Sequence, residues 1–136
     1  MNMRSFNLQK IRPDIATTTI VAGIGEEERF QNETLRPVIK MQNDLLLAVF
    51  ANYIVKHKNR FHEYGLQGKL QYIENAIQKD IKFRNSLKGI VMGQFTVEEY
   101  QTYILNSSRL NKRMMSMVVE RLKDQIQYFE VNEALV

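Results

Sequence analysis

Apolar residues recur at the spacing of a helix face along most of this chain. Leu35, Ile39, Leu46, Val49, Phe50 and Tyr53 fall on one side of a 3.6-residue cylinder. Leu47, Ala48, Ala51, Ile54 and Val55 widen that face past half the circumference, so this helix needs cover from neighbours or from a second copy. Thr34 reads as its N-cap, and Pro37 sits in the first turn, where no intrahelical donor is lost. The pattern fades near residues 60–63. After a turn marked by Gly65 and Gly68, a second stripe runs through Leu70, Ile73, Ile77, Ile81 and Leu87 and stops at Gly93. Thr96-Val97-Glu98-Glu99 is a capping box that opens a third helix. Its stripe is Val97, Tyr100, Ile104, Met115, Val118, Leu122, Ile126 and Phe129, ending at about Tyr128.

The first 33 residues break the rhythm with Pro13, a threonine run at 17–19, Gly23, Gly25 and the acidic residues 26–28. They read as a flexible N-terminal arm in which Phe6, Leu8 and residues 19–24 form short extended segments, with a helical turn at 26–31. The expected fold is therefore all-α. It is an antiparallel three-helix bundle over residues 34–129, with an extended arm at 1–33 and a frayed tail at 130–136. A second copy would extend it to a larger bundle by dimerising.

Polar residues interrupt the stripes. At about 100° per residue, Asp80 and Arg84 lie within about 40° of the second stripe. Ser108 and Asn111 fall between Ile104 and Met115 on the third, and Gln42 is mid-stripe on the first. Folding the hairpin at Gly93 brings Asp80 level with Ser108, and Arg84 level with Ile104. This seam has two readings. In one, Asp80 and Arg84 form an i,i+4 ion pair that fixes helix register. In the other, these residues, with Ser108, Asn111 and Gln42, line a site for a polar ligand.

Composition narrows the chemistry. At 136 residues the chain is one domain's worth, and it has no cysteine, which excludes a disulfide framework, a thiol nucleophile and a thiolate metal site. The longest apolar run, residues 45–51, is far short of a bilayer span, and nothing near the start resembles a signal-peptide core, so a soluble cytoplasmic protein is expected. Net charge is +4, concentrated between residues 35 and 95, which hold ten basic against four acidic side chains. Lys56, Lys58 and Arg60 form one cluster and Lys79, Lys82, Arg84 and Lys88 another. Such segments are usually solvated helix faces, yet they also attract nucleic acid. His57 and His62 are five apart, off the i,i+4 spacing of paired zinc ligands. No metal site, cofactor fingerprint, phosphate-binding glycine loop or nucleophile elbow is present in the pattern, and no catalytic residue is nominated.

The block from Tyr72-Ile73-Glu74-Asn75-Ala76-Ile77-Gln78-Lys79-Asp80 to Arg84-Asn85-Ser86-Leu87-Lys88-Gly89, followed by Gly93-Gln94-Phe95-Thr96-Val97-Glu98-Glu99-Tyr100, resembles a family of short all-helical bacterial proteins, some labelled glyoxalase. The resemblance spans roughly residues 30–129. It implies a helical fold and names glyoxalase-type activity as an alternative. It implies no site residues, because the strands, internal repeat and metal-ligand spacing of glyoxalase I have no counterpart here. The leading expectation is a non-enzymatic helical protein acting through self-association or protein contacts. A ligand-binding or enzymatic seam, and nucleic-acid binding through residues 56–88, are the alternatives.

Overall fold

Asn2 opens the first helix. Its side chain accepts the Ser5 amide hydrogen at 2.7 Å, and the straight-chain residues that follow carry α1, Met3–Ile11, until the backbone extends at Arg12 before Pro13. The computed structural model describes residues 2–13 and 25–134, with side chains as far as Glu130, and among these no strand occurs. The chain is all-helical. Phe6 and Leu8, expected in extended segments, are helical instead, because the Asn2 cap and the absence of β-branched residues before Ile11 favour a helix. The other expected extended segment, residues 19–24, lies outside the described residues.

Each of the three expected rods is interrupted, and the breaks at Pro37 and Asp80 have local causes. The first helical run begins at Glu26, not at Thr34. Three glutamates in the first turn of α2, Glu26–Phe30, complement the helix N-terminus. A wide π turn, Gln31–Leu35, then leads into α3, Arg36–Met41. Pro37 has no N–H for the carbonyl one α turn back, and the ladder shifts there, with Arg36 N–H reaching Gln31 O. Thr34 is therefore inside the run and caps nothing. The run ends at Gln42 (φ −87°, ψ 5°), and α4 occupies Asn43–Lys56.

The second rod breaks at Asp80, between α5, Leu66–Lys79, and α6, Ile81–Met92. Asp80 leaves the helical conformation (φ −86°, ψ 96°), and its Oδ1 accepts the Phe83 amide at 3.2 Å. Its carbonyl accepts the Arg84 amide, so Asp80 is the N-cap of α6. Mid-helix aspartate competes with the ladder, and here the cap won. The third rod starts as expected: Thr96 Oγ1 accepts the Glu99 amide and Glu99 Oε1 accepts the Thr96 amide. It then divides into α7, Val97–Tyr103, a 3₁₀ turn at Ile104–Asn106, and α8, Ser107–Asp124. After the turn at residues 125–126, α9 runs Gln127–Ala134, so the backbone of the expected frayed tail is helical to Ala134.

These breaks rephase the faces. Val97, Tyr100 and Ile104, placed on the core stripe by a continuous helix, are exposed, as are Ile81 and Ser108. Tyr103, Leu110 and Met114 are buried instead.

The described chain divides into two compact units, one formed by Met1–Gln42 with Lys88–Met114 (unit 1), the other by Asn43–Leu87 with Met115–Val136 (unit 2). In unit 1 the buried Phe30 and Phe95 rings meet edge-on at 5.6 Å, and Tyr103 approaches Phe95 at 5.8 Å. Polar contacts tie α1 to the start of α7. Arg4 donates to the carbonyls of Phe95 and Gly93, while Arg12 donates to Gln94 O and pairs through both terminal nitrogens with Glu99. Thr34 adds a third donor to Glu99 at 2.9 Å. Unit 2 is built around Phe50, fully buried and in ring contact with Tyr53, Phe61, Tyr72, Phe83 and Phe129.

Candidate functional site

The five polar residues read as a seam fall in two different units. Asp80 and Arg84 belong to unit 2, whereas Gln42, Ser108 and Asn111 belong to unit 1. Asp80 gives one oxygen to its cap and the other to the Tyr53 hydroxyl at 3.0 Å, and it makes no ion pair with the half-buried Arg84. Gln42 donates to Ile90 O at 3.0 Å, and Asn111 accepts the Tyr103 hydroxyl at 2.5 Å. Ser108 is exposed. The i,i+4 ion pair failed because the helix it required is broken at its first member.

Unit 2 does contain a groove, of about 760 Å³, and Asp80 is at its end. The last turns of α4 supply Tyr53 and Lys56, the turn that follows supplies His57 and Lys58, and the 3₁₀ turn Arg60–Glu63 supplies Arg60. Tyr64 leads into α5, whose inner face adds Gly68, Gln71, Tyr72, Asn75 and Lys79. That face repeats at three- and four-residue steps from Tyr64 to Lys79, so helical geometry alone aligns it.

Aromatic rings form the groove's lining. Tyr53 has Phe83 at 4.1 Å and His57 at 3.9 Å, tilted 33° and 23°. Two rings at that distance cannot share one face, so Tyr53 is the middle of a stack and the exposed His57 is its outer layer. His57 Nδ1 lies 2.9 Å from Tyr53 O, which can only accept, so Nδ1 carries the proton. Tyr72 meets Tyr53 at 6.4 Å and Tyr64 at 6.2 Å. Gly68 makes room for Tyr64, since a Cβ there would come 2.8 Å from the Tyr64 Cβ.

Cations form the rim. Lys56, Lys58, Arg60 and Lys79 are all exposed, and none enters an ion pair among the described residues. Lys58 and Asn59 both adopt left-handed backbone, with φ 65° and 57°, as α4 ends. Asn59 N–H reaches back to Ile54 O and Lys58 N–H to Val55 O, closing the helix where glycine is the usual choice. A lysine there stores strain at the groove's edge, a placement characteristic of functional positions.

Burial, then the hydrogen bond to Asp80 and the charge of that carboxylate, hold the Tyr53 hydroxyl well above the ordinary tyrosine range. Burial also raises Tyr72, with Tyr64 adding to the effect and Arg60 opposing it. The groove therefore carries neutral phenols and cationic edges at neutral pH. Among the described residues no group of three or more histidine, aspartate or glutamate side chains is arranged to hold a metal ion. No single helix among the described residues is long and apolar enough to cross a membrane.

Of this site the sequence exposed the cations Lys56, Lys58, Arg60 and Lys79. It assigned Tyr53 to the core and did not single out Tyr64, Tyr72, Gln71 or Asn75. The signal that finds them is the period running from Tyr64 through Gly68, Tyr72 and Asn75 to Lys79. No known protein family, no curated protein and no solved structure matches this chain.

Proposed function

We propose that this chain is a binding protein whose groove in unit 2 takes an anionic ligand. The observation that carries the reading is the set of four exposed cations, none of them ion-paired, around one concave, ring-lined surface. Like charges held together repel, and an anion relieves that repulsion as it binds. The helix C-terminus at Lys56 offsets part of the repulsion in the free protein. Calorimetric titration with inorganic tripolyphosphate at low ionic strength tests the reading. Binding is expected to weaken steeply as salt is raised, and to fall at least tenfold when Lys56, Lys58 and Arg60 are all changed to serine. No binding at low salt, or no effect of the triple change, overturns it.

Self-association is a second reading, favoured by the rephased third rod. Ile104 is 52% exposed and Leu105 83%, beside exposed Val97 and Tyr100. A second copy covering this stripe would bury apolar surface now in water. Light scattering across a hundredfold concentration range tests it: a mass that stays monomeric throughout rejects the reading. A rise that Tyr100→Ser with Ile104→Ser abolishes supports it.

A further inference from the structure

We propose that the ligand of the unit 2 groove is a nucleoside phosphate, with its base on the aromatic lining and its phosphates at the Lys56–Arg60 rim; this rests on the anion-binding reading and specifies its occupant. Three features separate such a ligand from a simple anion. The first is the stack of Phe83, Tyr53 and His57, whose outer ring is exposed and faces the groove region. An aromatic stack with a free outer face accepts another planar ring, and base–aromatic stacking tolerates every base.

The second is the pair Gln71 and Asn75, one helical turn apart on either side of Tyr72 in sequence. Gln71 Nε2 donates to Asn75 Oδ1 at 3.0 Å, which leaves the Asn75 amide hydrogens and the Gln71 carbonyl oxygen for a ligand. Side-chain amides present a donor and an acceptor together, the pattern that matches a base edge. The third is the separation of functions along the groove. Lys56, Lys58 and Arg60 gather at the α4 terminus, whereas the amides lie on α5, which carries only the fourth groove cation, Lys79, at its end. An inorganic anion makes no use of the rings, and an uncharged aromatic makes no use of the cations. A nucleoside phosphate uses all three, in free form or as a residue of a single strand.

The test compares four probes by calorimetry at fixed low salt: tripolyphosphate, ATP without metal, adenosine, and an eight-residue single-stranded oligouridylate. ATP is expected to bind at least tenfold more tightly than tripolyphosphate and to quench tyrosine fluorescence. His57→Ala, at an exposed position that tolerates truncation, is expected to lower ATP affinity about fivefold and leave tripolyphosphate unchanged. Gln71→Ala with Asn75→Ala gives a second, independent reduction for ATP alone, with circular dichroism confirming the fold. Tighter binding of the oligouridylate than of ATP assigns the site to single strands, and the reverse assigns it to free nucleotides. If ATP and tripolyphosphate bind equally, or if His57→Ala weakens both alike, the nucleoside part of the proposal is overturned while anion binding stands. If neither binds, both fall.

Discussion

Unit 1 and unit 2 are each built from helices, yet their interiors are held by different physics. Unit 1 is fastened by directional polar contacts that span the sequence: Arg4 and Arg12 on the N-terminal segment reach residues 93–99, and Glu27 holds Asn106, Arg109 and Arg113. Unit 2 is centred on rings meeting at Phe50, with the ion pairs Lys69–Glu130 and Lys123–Glu74 beside them. Each polar clamp has one correct partner and fails when that partner is lost. Rings pack in many orientations, and their loss is felt as a cavity. The same division explains where the candidate site lies. In unit 1, Arg4, Arg12, Arg109 and Arg113 each find a partner within the unit, whereas the four groove cations of unit 2 enter no ion pair among the described residues.

The sharpest way to break this comparison is to remove the centre of each unit. Phe50→Ala should cost about 4 kcal/mol, because the surrounding rings cannot close over the space. Chemical denaturation should read the loss, and amide exchange should show it first in unit 2. Glu99→Gln should cost about 3 kcal/mol by a different route. The Arg12 and Glu99 side chains are only 8% and 15% exposed, and the change leaves the guanidinium buried without its counter-charge. Exchange should then accelerate first in α1 and α7. Equal acceleration in both units for either variant would erase the distinction.

The Glu99 clamp and the Tyr53 stack should respond to opposite ends of the pH scale. Burial alone would raise the Glu99 carboxyl, but the hydrogen bonds from Arg12 and the Thr96 amide outweigh it and hold the group below the ordinary carboxylate range. A lowered folded pKa stabilises above the unfolded value, and the benefit is lost as pH falls through the carboxylate range towards the folded value. The Tyr53 hydroxyl is shifted up, so its contribution is complete below the ordinary value of 10.0 and drains as pH rises beyond it. Acid should therefore loosen the Arg12 clamp, and alkali the Tyr53 stack. Tyr103 in unit 1 is raised as well, by burial, so alkali acts there too. An absorbance titration should show Tyr53 ionising after the exposed tyrosines, and Asp80→Asn should advance it.

The smallest expected effect separates stability from binding. Lys58→Gly relieves a left-handed lysine and should stabilise by about 0.5–1 kcal/mol, seen as a higher Tm. The same change removes a rim cation and should weaken tripolyphosphate binding about threefold. A variant that gains stability and keeps full affinity would show that the Lys58 charge contributes nothing.

The all-helical class was legible in the sequence because apolar spacing near 3.6 residues survives any arrangement of the helices. So was the Thr96–Glu99 capping box, which depends only on neighbours three residues apart. The basic cluster of Lys56, Lys58 and Arg60 was visible for the same local reason. The i,i+4 pair of Asp80 and Arg84 did not form, since it assumed an unbroken rod. Asp80 chose to cap α6, and one non-helical residue changes the phase of every position that follows.

What the sequence determined by itself was therefore short-range: helix content, one cap, the places where charge gathers. Tertiary structure decided which faces are buried, as the exposed Ile104 and buried Tyr103 show, and it turned Tyr53 from a core residue into the middle of a groove-lining stack. The physical reason is that a periodic pattern encodes angles within a helix but not the breaks between helices. A break costs only a few backbone hydrogen bonds, which a side chain such as that of Asp80 replaces, and each break shifts the phase of the faces that tertiary packing then buries.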